Sequence, residues 1–226
     1  MTEQLDHLIL PTAFLDHQTE EVQAFVDHAV KDRSADPVTK AVELYYAVRD
    51  GVFYEVYGAP LTPEGLRASN TVTTKSGFCM HKSVLYAAAV RAVGIPSRLL
   101  YSDVRNHLAS PRLLEHIGSD VFFHSLTQVH LEGKWVKATP VFNKLLCKLY
   151  GMQPLEFDGR TDSLYHPTAE GGGSMEFLTD HGAFDDLPYD FVLANMRRKH
   201  PKFLDDTGTG TVSGGRLADE ATVPTH

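Results

Sequence analysis

Two cysteines and twelve histidines set the covalent chemistry open to this chain. Cys79 stands in Lys75-Ser76-Gly77-Phe78-Cys79-Met80-His81-Lys82-Ser83, where a glycine lets backbone approach a ligand closely and a helix is expected to begin at the cysteine. First-turn N–H groups and the helix dipole favour a thiolate there, and the thiolate is the reactive form. A free cysteine is otherwise a small core residue, so the residues alone leave both readings of Cys79 open. Cys147, inside Leu145-Leu146-Cys147 with no glycine and no helix start, reads as core. A nucleophilic cysteine needs a base, and histidine is the obvious one. His81 lies two positions from Cys79 and so points to another side of the helix. His124, after Phe122-Phe123 at the start of a strand, is the better candidate. His130 is six residues further on, about 20 Å along the same strand face. One ion therefore cannot take both, and no close pair of the HxxxH kind occurs, so no metal or other cofactor is expected.

The elements that must hold these groups follow from periodicity. Val22, Phe25, Val26, Ala29 and Val30 recur at helical spacing behind Thr19 as a candidate N-cap. Asp36-Pro37 opens a second helix, with Val38, Ala41, Val42, Tyr45 and Val48 as its stripe and Gly51 as its stop. Val52 to Tyr57 reads as extended. A helix runs from Cys79 to about Val93, ended by Gly94 and Pro96. Three strands follow, over 97–102, 121–131 and 134–139, the last two joined tightly at Glu132-Gly133. One helix ahead of sequential strands predicts an α+β domain with an antiparallel sheet. In such a meander Asp103, His124 and Thr139 come to one sheet edge. Asp103 is then the candidate acid to accept the second imidazole N–H and orient His124, and its alternative is a strand-end turn acid. Further on, 143–150 reads as a short helix, Gly171-Gly172-Gly173 as a loop or lid hinge, and Leu187-Pro188 as the opening of a helix reaching Arg198.

Composition narrows the function classes. Lys+Arg 21 against Asp+Glu 29 leaves a net charge of −8, which argues against nucleic-acid and anionic-membrane partners. No apolar run approaches the roughly 20 residues that span a bilayer. With no basic and apolar leader at the N-terminus, both thiols are expected reduced and the chain cytoplasmic. Residues 205–226 hold scattered glycines and no aromatic residue, so a domain over 1–204 with a flexible C-terminal tail is expected. Arg197-Arg198-Lys199-His200-Pro201-Lys202 reads first as cations at a helix C-terminus. Its alternative is a dock for an acidic acyl carrier protein.

Taken together, 77–83, Arg91-Ala92-Val93-Gly94-Ile95-Pro96-Ser97-Arg98, His124, Gly133-Lys134-Trp135-Val136 and the upstream Leu44-Tyr45-Tyr46-Ala47-Val48-Arg49-Asp50 resemble the transglutaminase-like superfamily, in a bacterial subgroup, over roughly Asp36 to Asn143. The resemblance implies a papain-like core: a central helix bearing the nucleophile Cys79, packed on an antiparallel sheet carrying His124. The family's acid closes a Trp-x-x-x-Asp pattern on the third strand, and here that position is Thr139. The third role therefore passes to Asp103 first, then Asn143, then Asp158. The implied activity is cysteine-dependent hydrolysis or transfer of an acyl group from a peptide amide or a thioester, free or carrier-bound. Its alternatives are Dieckmann-type cyclisation of a thioester and a catalytically inactive binding module on the same fold.

Overall fold

Thr19 precedes the first helix, α1 (Glu20–Ala29). Asp36 caps the second, α2 (Pro37–Gly51), by accepting from the Thr39 N–H at 3.1 Å, and Pro37 takes the N1 position, where no N–H is needed. The computed structural model describes residues 5–106, 109–164 and 175–220. After α2 come a two-residue strand β1 (Phe53–Tyr54), a threonine-rich helix α3 (Ala68–Thr74) and β2 (Ser76–Gly77), which pairs parallel with β1. The helix α4 (Cys79–Arg91) follows at once.

α4 is the axis of the fold. Every one of its 13 residues is buried, and it packs against α1, α2 and α3 on one side and the sheet on the other. A helix enclosed on all sides must find partners for its polar residues. Lys82 Nζ donates to the carbonyls of Arg49 and Val52 at the end of α2, at 2.9 and 2.6 Å, and burial brings its ammonium down to about 7. Arg91 donates to the carbonyls of Leu10, Ser97 and Asp185. Ser83 Oγ reaches the carbonyl of Ser125.

The sheet is built from β3 (Ser97–Asn106), β4 (Val121–Leu131) and β5 (Lys134–Ala138), in the expected meander, with a helix α5 (Pro111–Ile117) between β3 and β4. The β4–β5 turn is tight, with Glu132 and Gly133 both at positive φ. A short helix α6 (Lys144–Leu149) leads away from β5. A fourth strand, β6 (Met175–Phe184), was not anticipated; it pairs with the free side of β3, so the order is β5-β4-β3-β6, all antiparallel. Its residues are mostly exposed, as befits an edge strand, which is why no alternation of apolar and polar residues announced it. Then come α7 (Tyr189–Lys199) and a one-turn α8 (Leu217–Glu220).

The segment after Leu204 departs from the loose tail expected of it. Gly58 N–H bonds the Val212 carbonyl, Leu61 N–H that of Thr209, and Thr211 N–H that of Ala59. Leu217 is buried, and its N–H is held by the Glu55 carboxylate at 3.1 Å. Up to Glu220 this chain is attached by backbone hydrogen bonds, which composition does not report. Residues 221–226 and the triple glycine 171–173 lie outside the described residues.

Candidate active site

Cys79 begins α4 because the chain ahead of it cannot be helical. Phe78 is extended, and Ser76-Gly77 is committed to β1. Gly77 also packs so closely that a side-chain carbon there would stand 2.6 Å from His81 Cβ. His81 in turn is fixed by its Nε2 on the Pro60 carbonyl at 2.9 Å. It is a packing residue of the loop, not a partner of the thiol.

The Cys79 side chain is 5 % exposed. Burial pushes its thiol up to about 11, against the pull of hydrogen bonds from the N–H groups of Ser125, Met80 and Cys79 itself. The lowered value expected from the helix start is thus reversed: desolvation outweighs the first-turn donors. The Ser125 contact places the sulfur beside the residue that follows His124. β5 ends opposite Thr127, and earlier along β4 Ser125 turns to α4 instead, its N–H to Cys79 and its carbonyl to the Ser83 hydroxyl.

His124 is 4 % exposed and lines the same cavity as Cys79. Its Nε2 is buried with no hydrogen-bond partner among the described residues. Burial alone pulls its imidazole down to about 4. At neutral pH the pair is therefore a thiol and a neutral imidazole.

The structure separates Asp103 from this pair. Directly opposite residues of an antiparallel ladder share a face, and β3 sets Ser102 opposite His124 and Asp103 opposite Phe123. Asp103 leaves the sheet on the other face, where Lys199 Nζ and His181 Nε2 hold its carboxylate, the latter at 3.1 Å. Partial burial raises its pKa, but those two bonds outweigh it and keep the carboxyl below its ordinary value. Proximity to the strand end was the right region and the wrong face. Asn143 is also engaged elsewhere, its Oδ1 accepting from Tyr54 N–H at 3.2 Å. Asp158 is an exposed turn acid receiving the N–H groups of Arg160 and Thr161. None of the three acids or amides expected for the third role bonds His124.

Thr139 is the residue at which the resemblance expects the family acid. Ala138 is opposite Thr127, so the next residue falls beside Leu126, two along from His124 and on its face. Its Oγ1 is buried and has no partner among the described residues.

A second histidine, not anticipated, also lines the cavity. His200 follows α7, and its Nε2 accepts from the Phe123 N–H at 3.0 Å. That bond puts the ring proton on Nδ1 and leaves no lone pair to receive another. Burial brings His200 down to about 4. Both imidazoles at the cavity keep a buried ring nitrogen without a partner among the described residues, Nε2 of His124 and Nδ1 of His200, but His200 already spends its one lone pair on Phe123, which leaves His124 as the candidate base. His200 lay in the basic run read as a helix end, and no local pattern connects it to β4. Cys147 is fully buried, as expected of a core residue, and His130 packs its ring on Trp135 at the far end of the sheet.

The cavity is small, about 50 Å³, and a larger groove of about 570 Å³ lies beside it. Tyr54 and Leu146 belong to the walls of both. Among the described residues no group of three or more His, Cys, Asp or Glu is placed to hold a metal ion, and no helix is long and apolar enough to cross a membrane.

No curated protein matches the chain. Among solved structures, a proposed cysteine protease from Cytophaga hutchinsonii superposes with a TM-score of 0.47 at 16 % identity, over 62 % of this chain and 43 % of that one. The chain thus spans less than half the length of that protein. The model of the transglutaminase-like superfamily matches residues 24–140, just over half of the sequence, and covers α2, α4, the Cys79 and His124 positions and the meander that carries them. The chain belongs to the transglutaminase-like superfamily.

Proposed function

We propose that the protein is a cysteine-dependent acyl-transfer enzyme with Cys79 as nucleophile and His124 as its base and acid. The observation that carries this reading is the burial of both groups at one cavity, with the His124 Nε2 uncommitted. As Cys79 Sγ bonds the acyl carbon, the thiol proton passes to His124 Nε2. The carbonyl oxygen becomes an oxyanion, for which the N–H groups of Cys79 and Ser125 beside the sulfur are the available donors. His124 then gives its proton to the leaving amine or thiol as the old bond breaks, leaving an acyl-Cys79 thioester. Water, or a second amine, loses a proton to His124 as it attacks that carbonyl. The sulfur leaves and recovers the proton.

A thioester is favoured over an amide as the acyl donor. With Thr139 at the acid position the imidazolium gains no carboxylate, and the resting pair holds no preformed thiolate. Such a nucleophile suits a carbonyl that is already activated and a thiol that leaves readily. The same threonine is what favours the second reading, a binding module that has lost its chemistry. Intact mass measurement after mixing with a panel of small acyl thioesters separates the two. Wild type is expected to gain an acyl adduct mapped to Cys79, Cys79→Ala to gain none, and His124→Ala to gain it at least a hundredfold more slowly. Equal acylation of wild type and His124→Ala would refute the assigned base, and no adduct from any thioester would leave the binding module standing.

A further inference from the structure

We infer that the small cavity at Cys79 receives a short, uncharged, apolar acyl chain, while the leaving group lies in the adjoining groove. The inference rests on the acyl-transfer reading and specifies its substrate. Not one Asp, Glu, Lys or Arg is among the residues that wall the cavity, although such residues make up 22 % of the sequence. Its cysteine and two histidines, Cys79, His124 and His200, are all neutral near pH 7. A charged chain entering this wall would lose its hydration and meet no counter-charge. Three of the five methionines of the chain, Met152, Met175 and Met196, face this one space from three separate segments. Unbranched and polarizable, methionine adapts to an incoming apolar shape without a fixed mould. Leu113 and Ile117 of α5 add to the apolar lining.

An ordinary core void would hold no unsatisfied polar group. Here His124 Nε2 and His200 Nδ1 are buried at the wall with no partner among the described residues, which places a polar demand at one side of a space lined chiefly by apolar side chains. A carbonyl under attack at Cys79, with an alkyl chain behind it, fits that pattern. The volume of about 50 Å³ is several times the roughly 10–15 Å³ that admits one water, which suits a chain of a few carbons. The groove beyond Tyr54 and Leu146 differs in kind: Lys75, Arg216 and Glu55 line it beside Leu145 and Leu149. With charged side chains in its wall and about 570 Å³ of room, it can keep a larger leaving group in water.

The test uses the full chain and N-acetylcysteamine thioesters of acetate, butyrate, hexanoate and succinate, following thiol release and the mass of Cys79. Butyryl or hexanoyl transfer is expected to exceed succinyl transfer at least tenfold in kcat/KM. Met196→Trp is expected to lower the hexanoyl-to-acetyl ratio at least tenfold, and Leu113→Phe repeats the test should the tryptophan variant not fold. Succinyl transfer equal to butyryl transfer, or a ratio unmoved in both variants, would overturn the inference while leaving acyl transfer intact. Should no thioester acylate Cys79, the acyl-transfer reading fails by itself. Calorimetric titration of Cys79→Ala with hexanamide and with succinamate then decides the cavity: hexanamide alone binding supports it, and neither or both binding overturns it.

Discussion

On the proposed mechanism, Thr139 leaves His124 without a carboxylate partner. A carboxylate there would accept an imidazole N–H and stabilise the imidazolium; a hydroxyl does neither with charge. His124 accordingly feels only its burial and stays neutral down to about 4. Thr139→Asp is expected to raise the His124 pKa by about 1–3 units and to speed iodoacetamide alkylation of Cys79 at pH 7. Alkylation against pH, resolved from Cys147 by peptide mapping, measures both. The neutral Thr139→Asn separates the charge from the change of shape. Asp103→Asn is expected to behave in the opposite way. Acyl transfer should persist, because Asp103 lies on the other sheet face. Stability should fall by about 1.5–3 kcal/mol as Lys199 and His181 lose a charged acceptor, read by chemical denaturation. Loss of activity out of proportion to stability would return Asp103 to the mechanism.

Gly77, Gly94 and Pro96 bracket α4, and Glu132-Gly133 marks the β4–β5 turn. These local signals made the nucleophile's helix and the meander legible in the sequence. Asp36-Pro37 did the same for α2, whereas Ser110-Pro111, the same pattern ahead of α5, was passed over although Ser110 caps by accepting from Leu113 N–H at 3.0 Å. β6 was illegible because an exposed edge strand need not alternate. The face of Asp103 was illegible for another reason: nearness to a strand end locates a residue along a ladder, while register parity decides which side it leaves. His200 reaches β4 through a contact 77 residues apart in the chain, which no window along a sequence contains. At the element scale Gly77 is the most exposed to test. Gly77→Ala must displace the His81 ring or the start of α4, and a loss of about 1–3 kcal/mol is expected in thermal or denaturant unfolding. An unchanged midpoint would mean that the β2–α4 junction has room not evident from its contacts.

For the molecule as a whole, acid is the condition that the buried histidines resist. His81, His124 and His200 are each drawn from 6.5 to about 4 by burial. Their folded values lie below their unfolded ones. The stability they contribute is therefore complete above about pH 6.5 and is lost as pH falls through about 4. Each adds at most about 1.4 kcal/mol per pH unit to the loss within that window. Denaturation midpoints at pH 7, 5.5 and 4.5 should fall with the slope of up to three protons, and a flat profile to pH 4.5 would contradict the neutral burial of these rings. Segment 205–220 matters on the same scale. Leu217 walls the cavity and Glu220 bonds the Tyr57 hydroxyl at 2.6 Å, while 213–216 are exposed between these anchors and the rest of the fold. The consequence concerns endurance against oxidants. A thiol that is 5 % exposed and protonated up to about 11 offers peroxide little thiolate to attack. A proteolytic nick at Gly214-Gly215 leaves 217–220 held by its own bonds, among them those to Glu55, Tyr57 and Tyr150, and faster peroxide oxidation of Cys79 to sulfenic acid in the nicked chain than in the intact one would show that this segment shields the sulfur.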